Sequence, residues 1–147
     1  MPIVNHDLRK NQLAGLMSAH FNVSGTDDTD IELPLSGPKQ IRRIVVTTGA
    51  NSGAVGTLTL QPKQTTGGNT LGSARDIKKA AGTYVKWDEA TLTSTAVRMD
   101  STFDGIAFSV VNAGGADAWA FAVEVVYSPV TNVNGTAYVD AKLNGVL

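Results

Sequence analysis

Residues 118–127 (AWAFAVEVVY) alternate without a fault. Trp119, Phe121, Val123, Val125 and Tyr127 share one parity, and Ala118, Ala120, Ala122, Glu124 and Val126 share the other. Period two is the side-chain repeat of a β-strand, so all the bulk falls on one face. Burying five such side chains is worth about 1.5–3 kcal/mol each. The opposite face is small rather than polar, which predicts a close neighbour: a loop, a terminal arm or another subunit.

Similar patterns recur from residue 31 onward. Residues 31–35 (IELPL) predict a short edge strand ended by Pro34 and by Gly37-Pro38. Residues 40–48 (QIRRIVVTT) are rich in β-branched side chains, and 55–61 (VGTLTLQ) set Leu58 and Leu60 against Thr57 and Thr59. Pro62 then predicts a long loop. Residues 83–87 (TYVKW) predict a strand with Val85 and Trp87 inward, and 105–112 (GIAFSVVN) predict another. Within 90–99 the alternation slips one residue near 94–96, which predicts a bulge.

Two segments read less simply. Leu13, Leu16, Met17 and Phe21 recur at three- and four-residue spacing, which predicts a short helix, although Gly15 weakens it and an extended strand over 16–23 is nearly as compatible. Residues 74–81 (ARDIKKAA) are compatible with one or two helical turns. At the far end, 138–143 alternate again, either as an arm laid on a neighbour or as a final edge strand.

Seven or eight short strands over about 100 residues, joined by Gly- and Asn-rich turns, predict an all-β fold. The expected architecture is an antiparallel β-sandwich of jelly-roll or Greek-key topology, with at most one or two short helices. The expected organisation is an N-terminal arm or short helix over 1–30, a sandwich over 31–129, and a C-terminal arm or edge strand over 130–147.

Composition narrows the chemistry. The 147 residues suffice for one domain with a real core. There is no cysteine, which removes disulfides, thiolate metal sites and cysteine nucleophiles. Twelve basic residues against thirteen acidic ones leave no surplus for neutralising phosphates, so no nucleic-acid partner is expected. Arg42-Arg43 and Lys78-Lys79 read as solvated surface. No apolar run approaches the roughly 20 residues of a membrane span, and the first residues lack the pattern of a secretory signal. Charged residues make up 17% of the chain, below the usual value of about 25%. Surfaces so poor in charge suit a protein whose faces become covered.

No catalytic constellation emerges. His6 and His20 are the only histidines and stand fourteen apart, without zinc-ligand spacing. Neither a nucleophile elbow nor a phosphate-cradling loop is present. Asp88 and Glu89 are adjacent, so a strand would point them apart. Asp27, Asp28, Asp30 and Glu32 form the best cation candidate, although Leu33 stands where a calcium loop of the EF-hand type needs glycine, and a solvated loop is the simpler expectation. Tyr84, Trp87, Phe103 and Tyr138 are the aromatics available for stacking on sugars, but Tyr84 and Trp87 lie an odd number apart and should face opposite ways. The expectation is a protein without catalytic residues, metal or cofactor.

The polar N-terminal stretch over 5–21, the Thr/Gly/Ala-rich strands over 40–127 and the tail over 138–147 together resemble the head decoration, or cement, proteins of tailed bacteriophages. That resemblance implies a virion protein, made in the host cytoplasm and seated on the capsid surface as a dimer or trimer. Its partners would be the major capsid protein and itself, and its effect would be many weak contacts summed over a lattice. On this reading Leu13, Leu16, Met17, Phe21, Tyr138, Val139 and Leu143 are the contact residues, and removal of residues 1–22 would abolish capsid binding while leaving the domain folded. The alternative is a glycan- or receptor-binding sandwich module of a phage tail or spike.

Overall fold

A computed structural model of the chain describes residues 3–11, 16–35, 39–49, 56–65, 68–93, 105–113 and 118–129. Nine strands are present: β1 (Ile3–Asn11), β2 (Leu16–Gly25), β3 (Thr29–Leu33), β4 (Lys39–Thr48), β5 (Thr57–Gln64), β6 (Arg75–Lys78), β7 (Tyr84–Trp87), β8 (Ile106–Ala113) and β9 (Trp119–Pro129). No helix occurs among the described residues, so none is available there to cross a membrane. The strands form two sheets, ordered β1-β2-β9-β4-β7 and β3-β8-β5-β6, and every pairing is antiparallel. With β1 set aside, the chain changes sheet at every step except from β5 to β6, which gives the strand orders β2-β9-β4-β7 and β3-β8-β5-β6 of two interlocked Greek keys. That is a jelly roll, with β1 added at the edge beside β2.

The stretch expected as an arm or short helix, with a strand over 16–23 as the alternative, supplies two strands, and the alternative is the one found in β2. β2 pairs with β9 from Met17↔Tyr127 to Gly25↔Trp119, so it lies inside the five-stranded sheet. Ala19, Phe21 and Val23 are its buried residues, a period-two set. Residues 75–78 are also a strand rather than helical turns: β6 lies against β5 with Leu58 opposite Ile77, and Ile77 is buried. Pro62 does not end its strand, because β5 runs on to Gln64. On the β6 side the ladder stops at Leu60↔Arg75, and the Pro62 carbonyl accepts from the Leu71 N–H at 2.8 Å. Proline's missing donor therefore falls where no ladder bond is required. The bulge expected near 94–96 lies outside the described residues. A register shift is found instead in β4, between Ile41 and Arg43.

The inward faces meet in one core. Phe108 of β8 reaches across to the other sheet, with its ring centroid 5.9 Å from Trp87 and 6.4 Å from Phe121, and Phe121 stacks on Trp119 at 5.4 Å. Each tryptophan packs closely against a glycine and donates its indole N–H to a nearby carbonyl. Trp119 covers Gly25 and bonds Asp27 O at 3.2 Å, while Trp87 covers Gly72 and bonds Ser73 O at 2.9 Å. A Cβ at either glycine would stand 2.5–2.6 Å from the ring, so only glycine admits this contact.

Lys79, just past β6, is fully buried, and its ammonium has no hydrogen-bond partner among the described residues. An unpaired buried polar group costs about 1–3 kcal/mol. Lys79→Met keeps the volume and removes the charge. It is expected to raise the thermal midpoint by several degrees in a calorimetric scan, and an unchanged or lower midpoint would contradict this account.

Candidate functional site

The shift in β4 shapes the surface. Ile41 and Ile44 both point inward although they are three apart, because one extra residue lies between them. Arg42 and Arg43 are both displaced to the outer side of the five-stranded sheet. There they border a cleft of about 530 Å³ lined by Leu16, Met17, Ser18, Arg42, Arg43, Asp88, Glu89, Glu124 and Val126. β2 and β9 supply the apolar residues of its floor, Leu16 and Val126, while Met17, on the inward parity of β2, borders the cleft and packs against the core. β4 and the turn after β7 supply the charged rim.

The rim charges already have partners. Arg42 Nη1 lies 2.6 Å from Glu89 Oε1, and Arg43 Nη2 lies 3.2 Å from Glu124 Oε1, whose other oxygen is 3.5 Å from His20 Nε2. Arg42 Nε also donates to Ser128 Oγ at 3.4 Å. These pairs are partly exposed and contribute little stability, of order 0–1 kcal/mol each. Their effect is local: a partner that covers the cleft meets charges already compensated. Burial works to raise the Asp88 carboxyl, but the Thr91 hydroxyl, the Ala90 and Thr91 N–H groups and the charge of Lys86 hold it below the usual carboxylate value. Asp88 thus ties the turn after β7 and is spoken for structurally.

Of the contact residues expected from sequence, Leu16 and Met17 line this cleft and are half-buried. Phe21 is 1% exposed in the core, so it cannot be a contact residue: it shares the inward parity of Ala19 and Val23. Leu13, Tyr138, Val139 and Leu143 lie outside the described residues. Reading Arg42-Arg43 as plain solvated surface missed their place on the cleft rim. The signal was present, since Ile41 and Ile44 stand at a spacing that a regular strand would point to opposite faces.

The acidic cluster divides between a turn and an edge. The Asp28 carboxylate accepts from the Asn112 N–H at 2.7 Å, Asp27 O accepts from Trp119, and Asp30 and Glu32 are exposed on β3. Among the described residues no three His, Asp or Glu side chains gather as a metal-ligand set. Tyr84 is 66% exposed and Trp87 is buried, on opposite faces as their spacing requires. Tyr84 closes an outer row running Asn22, Ala122, Thr47, Tyr84 across four strands.

The strand order defines this molecule as a jelly-roll domain, with the cleft and the row on the outer face of its five-stranded sheet. No protein family matches the sequence, and no curated protein is similar to it. Among solved structures it is similar to TmCBM61 in complex with β-1,4-galactotriose, at 15% identity over 86% of this chain and 88% of that one, with a TM-score of 0.31. It is also similar to the virus-like particle of the giant freshwater prawn Macrobrachium rosenbergii extra small virus, at 8% identity over 86% of this chain and 79% of that one, with a TM-score of 0.28.

Proposed function

We propose that this chain is a virion structural protein, a capsid decoration protein that binds across joints between major capsid proteins through the outer face of its five-stranded sheet. The observation that carries the reading is the cleft: an apolar floor of Leu16 and Val126 inside a rim whose arginines and glutamates are paired within the domain. Such a surface can be covered by a protein without stranding a charge. The reading includes no catalytic step and no cofactor. The capsid as partner comes from the sequence resemblance; the cleft supplies the surface.

Val126→Glu tests it. Val126 is half-buried on the outer face, and a carboxylate there adds a fourth acid to a cleft that holds Asp88, Glu89 and Glu124. Binding to undecorated capsids in a co-sedimentation assay is expected to fall at least about tenfold, the equivalent of 1.4 kcal/mol. The thermal midpoint should stay within a few degrees. Full binding by this variant would overturn the proposal.

A second reading, a glycan- or receptor-binding module, has one observation in its favour: exposed Tyr84 beside Thr47, Ala122 and Asn22. An aromatic face next to polar side chains is the arrangement on which a sugar stacks. Among the described residues Tyr84 stands there without a second exposed aromatic. A glycan array with the purified protein separates the readings, since binding lost in Tyr84→Ala would favour the module.

A further inference from the structure

The two outer faces of the sandwich carry their charges differently. On the four-stranded sheet Ile31, Phe108, Leu60 and Ile77 point inward, so their neighbours in sequence face out. Pairing sets Glu32, Ala107 and Lys63 in one outer row across β3, β8 and β5, and Val111, Thr59 and Asp76 in another across β8, β5 and β6. The acids Asp30 and Glu32 stand on β3 at one edge, and the bases Lys63 and Lys78 stand on β5 and β6 toward the other. Among the described residues none of these four makes an ion pair, whereas Arg42, Arg43, Glu89 and Glu124 on the cleft rim all do. Asp76 is taken up by the Thr59 hydroxyl at 2.7 Å. Val111, between the charged edges, is 44% exposed.

We infer that the outer face of the four-stranded sheet is a self-association surface, on which a second copy of this chain packs sheet to sheet. Charge complementarity selects the orientation. In a two-fold pair the same patch is used by both copies. An axis across the strands lays β3 on β3 and sets acids against acids. An axis along the strands, between β8 and β5, lays β3 over β6 of the second copy and β8 over its β5. Lys63 of the second copy then comes over Ala107, whose methyl leaves room for the long stem, and its ammonium reaches Glu32 on the adjoining strand. Symmetry makes this contact twice. Val111 is laid on the methyl of Thr59, and Lys78 comes to the turn that carries exposed Asp27. Unlike charges set face to face fix the register and exclude the other packing. Four strands at about 4.8 Å spacing make a small face, so the dimer is a weak one. The contact lies on the sheet opposite the cleft, so it does not rest on the capsid reading and leaves the cleft free.

Sedimentation equilibrium of the full-length protein is expected to show a monomer–dimer equilibrium that weakens as sodium chloride rises. Glu32→Lys and Lys63→Glu are each expected to weaken it by about tenfold or more, because each sets like charges against one another twice. Both side chains lie on the outer face, and circular dichroism checks that each variant folds. The decisive measurement mixes the two variants in equal amounts. In the mixed pair each variant supplies the charge the other lacks at both contacts, so a heterodimer of near-native affinity should form. Val126→Glu, on the opposite sheet, should dimerise as the unaltered chain does, and a dimer lost there would place the contact on the wrong face. A strict monomer, a trimer, a dimer indifferent to both reversals, or a mixture that associates no better than its parts would overturn the inference.

Discussion

Removing residues 1–22 is expected to leave a chain that does not fold. The deletion takes β1 and most of β2, and with them Ala19 and Phe21, which are 0% and 1% exposed. It also strips six of the nine residue pairs that join β2 to β9, the strand that carries Trp119, Phe121, Val123, Val125 and Tyr127. Loss of one buried phenylalanine side chain costs about 3–5 kcal/mol, and the vacated flank of β9 would open much of the core to water. Against a total stability of about 5–15 kcal/mol, the sum is not survivable. Circular dichroism and a thermal melt of the truncated protein should show no cooperative transition. A melt within a few degrees of the intact chain would show that β2 is dispensable. The truncation is therefore no test of capsid binding, and point substitutions on the outer face must take its place.

Phe108→Ala is expected to be the most damaging single change in the core. Phe108 is fully buried and is the ring through which β8 touches both Trp87 and Phe121 across the sandwich. Truncating a buried phenylalanine costs about 3–5 kcal/mol, and its two tilted aromatic contacts place it toward the upper end. For a domain of this size, each kcal/mol lowers the midpoint by roughly 2–4 °C near the transition. A loss of about 10 °C or more in calorimetry is the expected result. Phe108→Leu should recover over half of it, because it refills most of the volume. A loss under about 3 °C would show that the ring does not bridge the sheets.

The strands whose bulk alternates cleanly were legible. β9, β5 and β7 bury the residues their parity selects, Trp119 to Tyr127, Leu58 with Leu60, and Trp87. β2 was harder because its inward set is Ala19, Phe21 and Val23, where a small alanine blurs the period while Leu13, Leu16, Met17 and Phe21 mimic a helical face. β6 has one large apolar residue, Ile77, and no period can be read from one position. In both cases the neighbouring strand supplied the hydrogen bonds that decided the conformation: β9 for β2 and β5 for β6.

The candidate site was less legible still. Leu16 and Met17 were visible as apolar residues near the N-terminus, but their meeting with Val126, Glu124, Arg42 and Arg43 depends on β9 lying between β2 and β4. That order brings together positions more than 100 residues apart, and no local pattern encodes it. The sequence alone determined which side chains go inward on most strands, because parity and hydrophobicity are local properties. Only the tertiary structure decided which strands lie side by side and where the cleft forms, because those follow from long-range pairing and from one extra residue in β4.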